Sequence, residues 1–155
     1  MTITINNLNC LICYRINQIK ENSNPYFILE LKTGYVVFAD YQFYKGYVIF
    51  LCKKHKAELH ELDSDYKKNF LMEMGLVAEA VFKTFRPIKI NYELLGNKDF
   101  HLHWHIIPRY NSDFNLHQPI WSIDASIRNS EEFCPSQKEL KEMKKEFIKE
   151  FNKLL

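Results

Sequence analysis

The sequence predicts an α+β domain built on an antiparallel sheet of five to six strands, with one central helix and one C-terminal helix. Three observations carry this. Apolar runs rich in β-branched and aromatic residues come in short pieces, at 26–31, 35–39 and 47–52, which is the signature of strands. Two longer stretches repeat their apolar residues at helical spacing instead. Strands and helices do not alternate regularly, so a parallel βαβ sheet is excluded. The chain has 155 residues, the size of one ordinary domain with one core. No repeat and no Gly-, Ser- or Pro-rich linker divides it, so 1–155 is read as a single unit.

The elements follow in order. Lys32-Thr33-Gly34 separates the first two runs as a hairpin turn would, and Gly46 opens the third. Together they predict an antiparallel meander. Asp63 or Ser64 is placed to cap a helix by accepting from its free first-turn amides. Phe70, Met74, Val77, Val81 and Phe85 then fall on one helical face, and Pro87 stops the helix. A strand is expected over 88–95, a turn at Gly96-Asn97, and a further strand from His101 to Ile107 before Pro108. After an irregular stretch, Ser136 and Glu139 have the spacing of a capping box. Leu140, Met143, Phe147, Phe151 and Leu154 form the apolar stripe of the last helix.

Composition narrows the class. Apolar residues are 46% and charged ones 26%, which excludes a disordered or low-complexity chain. A formal charge of +2 is too mild for a duplex-binding surface, which needs a strong basic patch. The longest wholly apolar run, Tyr47 to Cys52, is far short of the roughly 20 residues of a spanning helix. The N-terminus MTITINNLN has neither the basic start nor the apolar stretch of a secretory signal. A cytoplasmic protein with no membrane and no nucleic-acid duplex as partner is expected. Cysteines at 10, 13, 52 and 134 do not make a dense disulfide framework, so the close Cys10/Cys13 pair reads as a metal or redox feature.

The segment richest in chemistry is His101-Leu-His-Trp-His105-Ile-Ile-Pro-Arg109. On a strand, alternate side chains share a face, so His101, His103 and His105 would project together, neighbours about 6.7 Å apart. Such a row fits a half-exposed strand, a shared zinc ion, or nucleophilic catalysis on phosphorus. In the last case a neutral imidazole attacks phosphorus, and water cleaves the labile P–N bond. Flanking imidazoles would then donate to the phosphoryl oxygens.

HLHWHII followed by Pro108-Arg109 resembles the signature of the histidine-triad (HIT) superfamily of nucleotide hydrolases and transferases. PheAlaAsp at 38–40, Gly46, Lys54-His55, Asn91 and Gly96-Asn97 occur in that superfamily's order. The resemblance covers about residues 8–110, leaving 111–155 as a C-terminal extension with the final helix.

The resemblance implies roles. His103 is the nucleophile, with His105 bonding phosphate or leaving group and carrying a proton, and His101 beside them. Asp40 accepts from ribose hydroxyls, unless it is only a turn residue. Phe38 packs on the nucleobase, with Ile12 as a second wall, unless Phe38 is a core residue. Asn91 and Asn97 lie near the phosphates, or else serve a turn and a strand end. Cys10, Cys13, His55 and His101 resemble the zinc set of the metal-bearing branch, a closed tetrahedral structural site; a metal-free thiol pair is the other reading. No redox cofactor is implied. Tyr47 departs from the pattern, since many relatives have histidine there, and Asp99 stands close to the triad.

The function these residues imply is hydrolysis at the α-phosphate of a purine nucleotide conjugate, an adenosine phosphoramidate or dinucleoside polyphosphate. A homodimer is implied too, with Trp121 and the last helix as contact candidates. The alternative is a nucleotide- or partner-binding protein with little turnover.

Overall fold

A computed structural model of the chain describes residues 9–155; most of the N-terminal stretch read for a secretory signal therefore lies outside the described residues. Among the described residues, strands β1 (Phe27–Glu30), β2 (Gly34–Phe38), β3 (Val48–Cys52), β4 (Lys89–Glu93) and β5 (His103–Arg109) form one sheet in the order β1-β2-β3-β5-β4. Every pairing is antiparallel. The meander β1-β2-β3 is as expected, closed at its first turn by the Leu31 amide on the Gly34 carbonyl.

Helix α2 (Ser64–Phe85) is capped by Asp63, whose carboxylate accepts from the Tyr66 amide. It ends at Arg86, in left-handed geometry just before Pro87. Its face of Phe70, Val77 and Val81 is buried against one side of the sheet, with Met74 and Phe85 packed beside them. After the short helix α3 (Ala125–Arg128), helix α4 (Gln137–Asn152) carries the expected Ser136/Glu139 capping box. Its stripe of Leu140, Met143, Phe147 and Phe151 closes the same core. No helix of the described residues is long and apolar enough to cross a membrane.

The other side of the sheet is covered by a helix that the sequence reading lacked, α1 (Leu11–Lys20). Ile12, Ile16 and Ile19 bury one face of it against Tyr35, Val37 and Leu51. The sheet is therefore sandwiched over β2 and β3, and all five residues of β2 are buried.

Two strand boundaries differ from expectation. β4 stops at Glu93, because Gly96 turns the chain with a φ of +64°. β5 starts at His103 rather than His101 and runs through Pro108 to Arg109. Proline has no amide to give a ladder. It is tolerated here because pairing with β3 ends at Ile106, so Pro108 has only β4 beside it.

Candidate functional site

Cys10 is the N-cap of α1, and its sulfur accepts from the Cys13 amide at 3.4 Å. That turn points both sulfurs at the same spot. His55, just after β3, and His101, in the bend before β5, complete the set. The four ligating atoms lie within 4.8 Å of one another. Cys13 Sγ is 3.2 Å from His55 Nδ1, and His101 Nδ1 is 3.5 Å from both sulfurs. Tetrahedral zinc with two sulfur and two nitrogen ligands spaces its ligand atoms about 3.3–3.8 Å apart, so the cluster has the right size and donor set. Burial, then the hydrogen bond and charge of the neighbouring Cys10, push the Cys13 thiol up to about 11. His101 is prepared as a ligand by its far nitrogen, since Nε2 sits 2.8 Å from the Cys52 carbonyl. Donation there leaves the Nδ1 lone pair facing the sulfurs. Burial pushes the His101 pKa down to about 4, which keeps the ring neutral.

His103 has the opposite arrangement. Its Nδ1 lies 2.6 Å from the backbone carbonyl of His101, so Nδ1 carries the proton and donates. Nε2 is left as a free lone pair, the form a nucleophilic imidazole needs. The His105 ring packs edge-on against it at 4.8 Å between centroids. Burial first, then the neighbouring His103, pushes the His105 pKa down to about 3. Its Nδ1 is 2.6 Å from the Tyr47 hydroxyl.

His103 and His105 line a cavity of about 330 Å³ together with Ile12, Ile49, Asn97 and Trp121. A second cavity of about 290 Å³ adjoins it, sharing Leu11, Ile12, Ile49 and Trp121. The second cavity continues along α1 to Val37, Asp40 and Arg128. The two make one groove with imidazoles at one end and a carboxylate at the other.

Arg109 shapes one wall of this groove from a distance. Its five N–H groups all find acceptors: Asp113, Asn91, the Gln118 carbonyl, and both the carbonyl and side-chain oxygen of Asn115. A fully buried guanidinium is tolerable only when satisfied in this way. The network folds the irregular segment after β5 back over the sheet and delivers Trp121. The indole packs on His105 at 5.9 Å and donates to Glu93 at 2.7 Å. Trp121 thus has a role within its own chain, and α4 packs within the chain as well.

The expected site residues sort as follows. His103, His105, Ile12 and Asn97 meet in the groove, and Asp40 stands at its far end. The Asp40 carboxylate is ion-paired with Arg15 of α1, a partner that the sequence reading missed. His101 precedes β5, and its ring lies against the sulfurs of the Cys10/Cys13 pair. Phe38 is fully buried, its ring packed against Phe85 and Phe147, which is the core role weighed for it. Its residue also borders the second cavity, alongside Val37, Ile49 and Leu51. Asn91 accepts from Arg109 through its side-chain oxygen, which ties it to the loop network after β5. Asp99 is occupied too, accepting from the Leu11 amide at 2.9 Å and so tying α1 to the loop before the triad.

Comparison with known proteins bears on the family and the fold. Residues 21–112 match the HIT domain. The "Protein hit" of Bacillus subtilis is 32% identical over 71 residues, covering 43% of this chain and 49% of that protein; the chain thus spans about half the length of that curated relative. A histidine triad protein from Bradyrhizobium japonicum has the same fold, with a TM-score of 0.71 and 20% identity over 86% of this chain and 94% of the other. A Zn-bound histidine triad family protein from Mycobacterium smegmatis does too, with a TM-score of 0.66 and 18% identity over 96% and 97%. With the domain match spanning more than half of its length, the chain belongs to the HIT domain family.

Proposed function

We propose that this protein is a nucleotidyl hydrolase acting at the α-phosphate of purine nucleotide conjugates, such as adenosine phosphoramidates or dinucleoside polyphosphates. The observation that carries the reading is the tautomer of His103, whose Nδ1–H is held by the His101 carbonyl while Nε2 is free beside the groove. Nε2 attacks phosphorus and a P–N bond forms. The bond from phosphorus to the leaving group breaks, and that group departs with a proton taken from solvent. Water then cleaves the P–N bond, returning a proton to solvent, releasing a mononucleotide and restoring the neutral imidazole. The positive charge on His103 during this cycle is eased by the carbonyl at Nδ1.

The nucleoside lies along α1, between Ile12 and the Val37–Ile49–Leu51 face of the sheet, with its ribose toward Asp40. Asn97 sits at the phosphate end. Zinc on Cys10, Cys13, His55 and His101 would supply structure, since a closed four-ligand site has no open position for substrate. It would hold α1 and the bend before β5 together, and so fix the carbonyl that sets the His103 tautomer. A homodimer and a cytoplasmic location are part of the same reading. The alternative, a binding protein with little turnover, draws on Asp99 and Tyr47. Neither favours it, because Asp99 serves the α1 amide and Tyr47 bonds His105.

The test is AMP release from a panel of adenosine phosphoramidates and dinucleoside polyphosphates by wild type and by His103→Ala. Turnover that disappears in the variant supports the hydrolase. Nucleotide binding without turnover on any of the panel would move the assignment to the binding protein.

A further inference from the structure

The mechanism leaves one buried contact unused, the 2.6 Å hydrogen bond between the Tyr47 hydroxyl and His105 Nδ1. Tyr47 lies between Gly46 and β3, its side chain half-buried. Gly46 has a φ of +90°, and a Cβ there would strike the Phe85 ring. The backbone entering Tyr47 is therefore fixed, and with it the path of the phenol toward β5.

Which atom gives the proton follows from the groups around the pair. The phenol has one proton, and its oxygen makes no other hydrogen bond to a protein group among the described residues. If His105 donated from Nδ1, the phenol proton would be left without a protein acceptor. His105 Nε2 would then present a lone pair to the groove, facing the oxygens of any phosphate. The other groups near His105 do not compete for its Nδ1. Glu93, opposite His105 in the β4–β5 register, accepts from the Trp121 indole. Arg128 stacks over that indole and donates to the Ile123 carbonyl. His103 uses its own Nδ1 on the His101 carbonyl. Burial raises the phenol's pKa well above its ordinary value, so the hydroxyl stays protonated.

We propose that Tyr47 is a positioning residue: by donating to Nδ1 it locks His105 in the tautomer that carries its proton on Nε2, toward the groove. The two neighbouring imidazoles then hold opposite tautomers. His103 offers a lone pair to phosphorus, and His105 offers an Nε2–H hydrogen bond to a phosphoryl or leaving-group oxygen. One is set by a backbone carbonyl and the other by a phenol. The inference about catalysis rests on the hydrolase reading; the tautomer itself does not.

The experiment is long-range 1H–15N NMR of the histidine side chains in the wild-type protein with its metal, joined to a double-mutant cycle. In the wild type, His105 is expected to show a protonated Nε2 and an unprotonated Nδ1, the reverse of His103. In Tyr47→Phe the His105 pattern should move toward a mixture while that of His103 stays put. With the hydrolysed substrate, Tyr47→Phe should lower kcat about 10- to 100-fold with KM little changed. The same substitution should cost almost nothing in a His105→Gln background, whereas a merely structural tyrosine would cost the same in both. A His105 protonated at Nδ1 in the wild type overturns the proposal, and so does a pattern unchanged in Tyr47→Phe. The first result needs no variant that might fail to fold. Absence of turnover with the tautomers as expected would defeat the hydrolase reading and leave the Tyr47 assignment standing.

Discussion

His101 and His103 are two residues apart, yet one belongs to a sulfur-rich cluster and the other to an open groove. The difference lies in the second ring nitrogen. The Cys52 carbonyl accepts from Nε2 of His101 and leaves Nδ1 facing the cysteine sulfurs, while the His101 carbonyl accepts from Nδ1 of His103 and leaves Nε2 open to the groove. A histidine's chemistry is thus decided by the partner of the nitrogen that does not react.

The sharpest way to break the comparison is at the reacting atom. His103→Ala should reduce nucleotide release by about 10⁴-fold or more while thermal unfolding stays within a few degrees of wild type. A variant retaining a tenth of the activity would mean that another group attacks.

A large effect of a different kind is expected on the far face of the sheet. Phe38→Ala empties a fully buried aromatic site between Phe85 and Phe147 and should cost about 3–5 kcal/mol in chemical denaturation. Its AMP affinity, measured by calorimetry on the folded fraction, should match wild type. Weaker binding out of proportion to unfolding would return Phe38 to the nucleobase.

The metal end should respond in stability before chemistry. Cys13→Ser should abolish one equivalent of zinc by elemental analysis and lower Tm by about 6–12 °C, if losing the site costs on the order of 3 kcal/mol. Equal metal content in the variant would place the ion elsewhere.

The smallest effect belongs to the carboxylate end. Arg15 and Asp40 form a partly exposed pair, so Arg15→Gln should change stability by less than about 1 kcal/mol. Freed from its partner, Asp40 should discriminate AMP from its 2′-deoxy analogue about 2- to 5-fold more strongly. An unchanged ratio would remove Asp40 from ribose recognition.

The meander, α2, α4 and their caps were legible in the sequence, since local spacing and capping chemistry specify them. The Cys/His set and the triad were legible through the family pattern. What escaped has a physical reason in each case. Helix α1 escaped although Ile12, Ile16 and Ile19 have helical spacing, because the cysteine pair drew the reading of that segment to metal chemistry. Nucleobase wall and core residue stayed open together for Phe38 because β2 is buried on both sides, which erases the polar alternation that reports parity. The pairs Arg15–Asp40, Arg109–Asn91 and Tyr47–His105 join distant segments, and nothing in local sequence announces them.

The most direct measurement is intact-protein mass spectrometry on a rapidly quenched reaction with the best substrate, followed by peptide mapping. The account predicts a transient nucleotidyl adduct, labile to acid, on the peptide carrying His103 and absent from His103→Ala. Steady turnover with no adduct at any time, or an adduct on another residue, would contradict it.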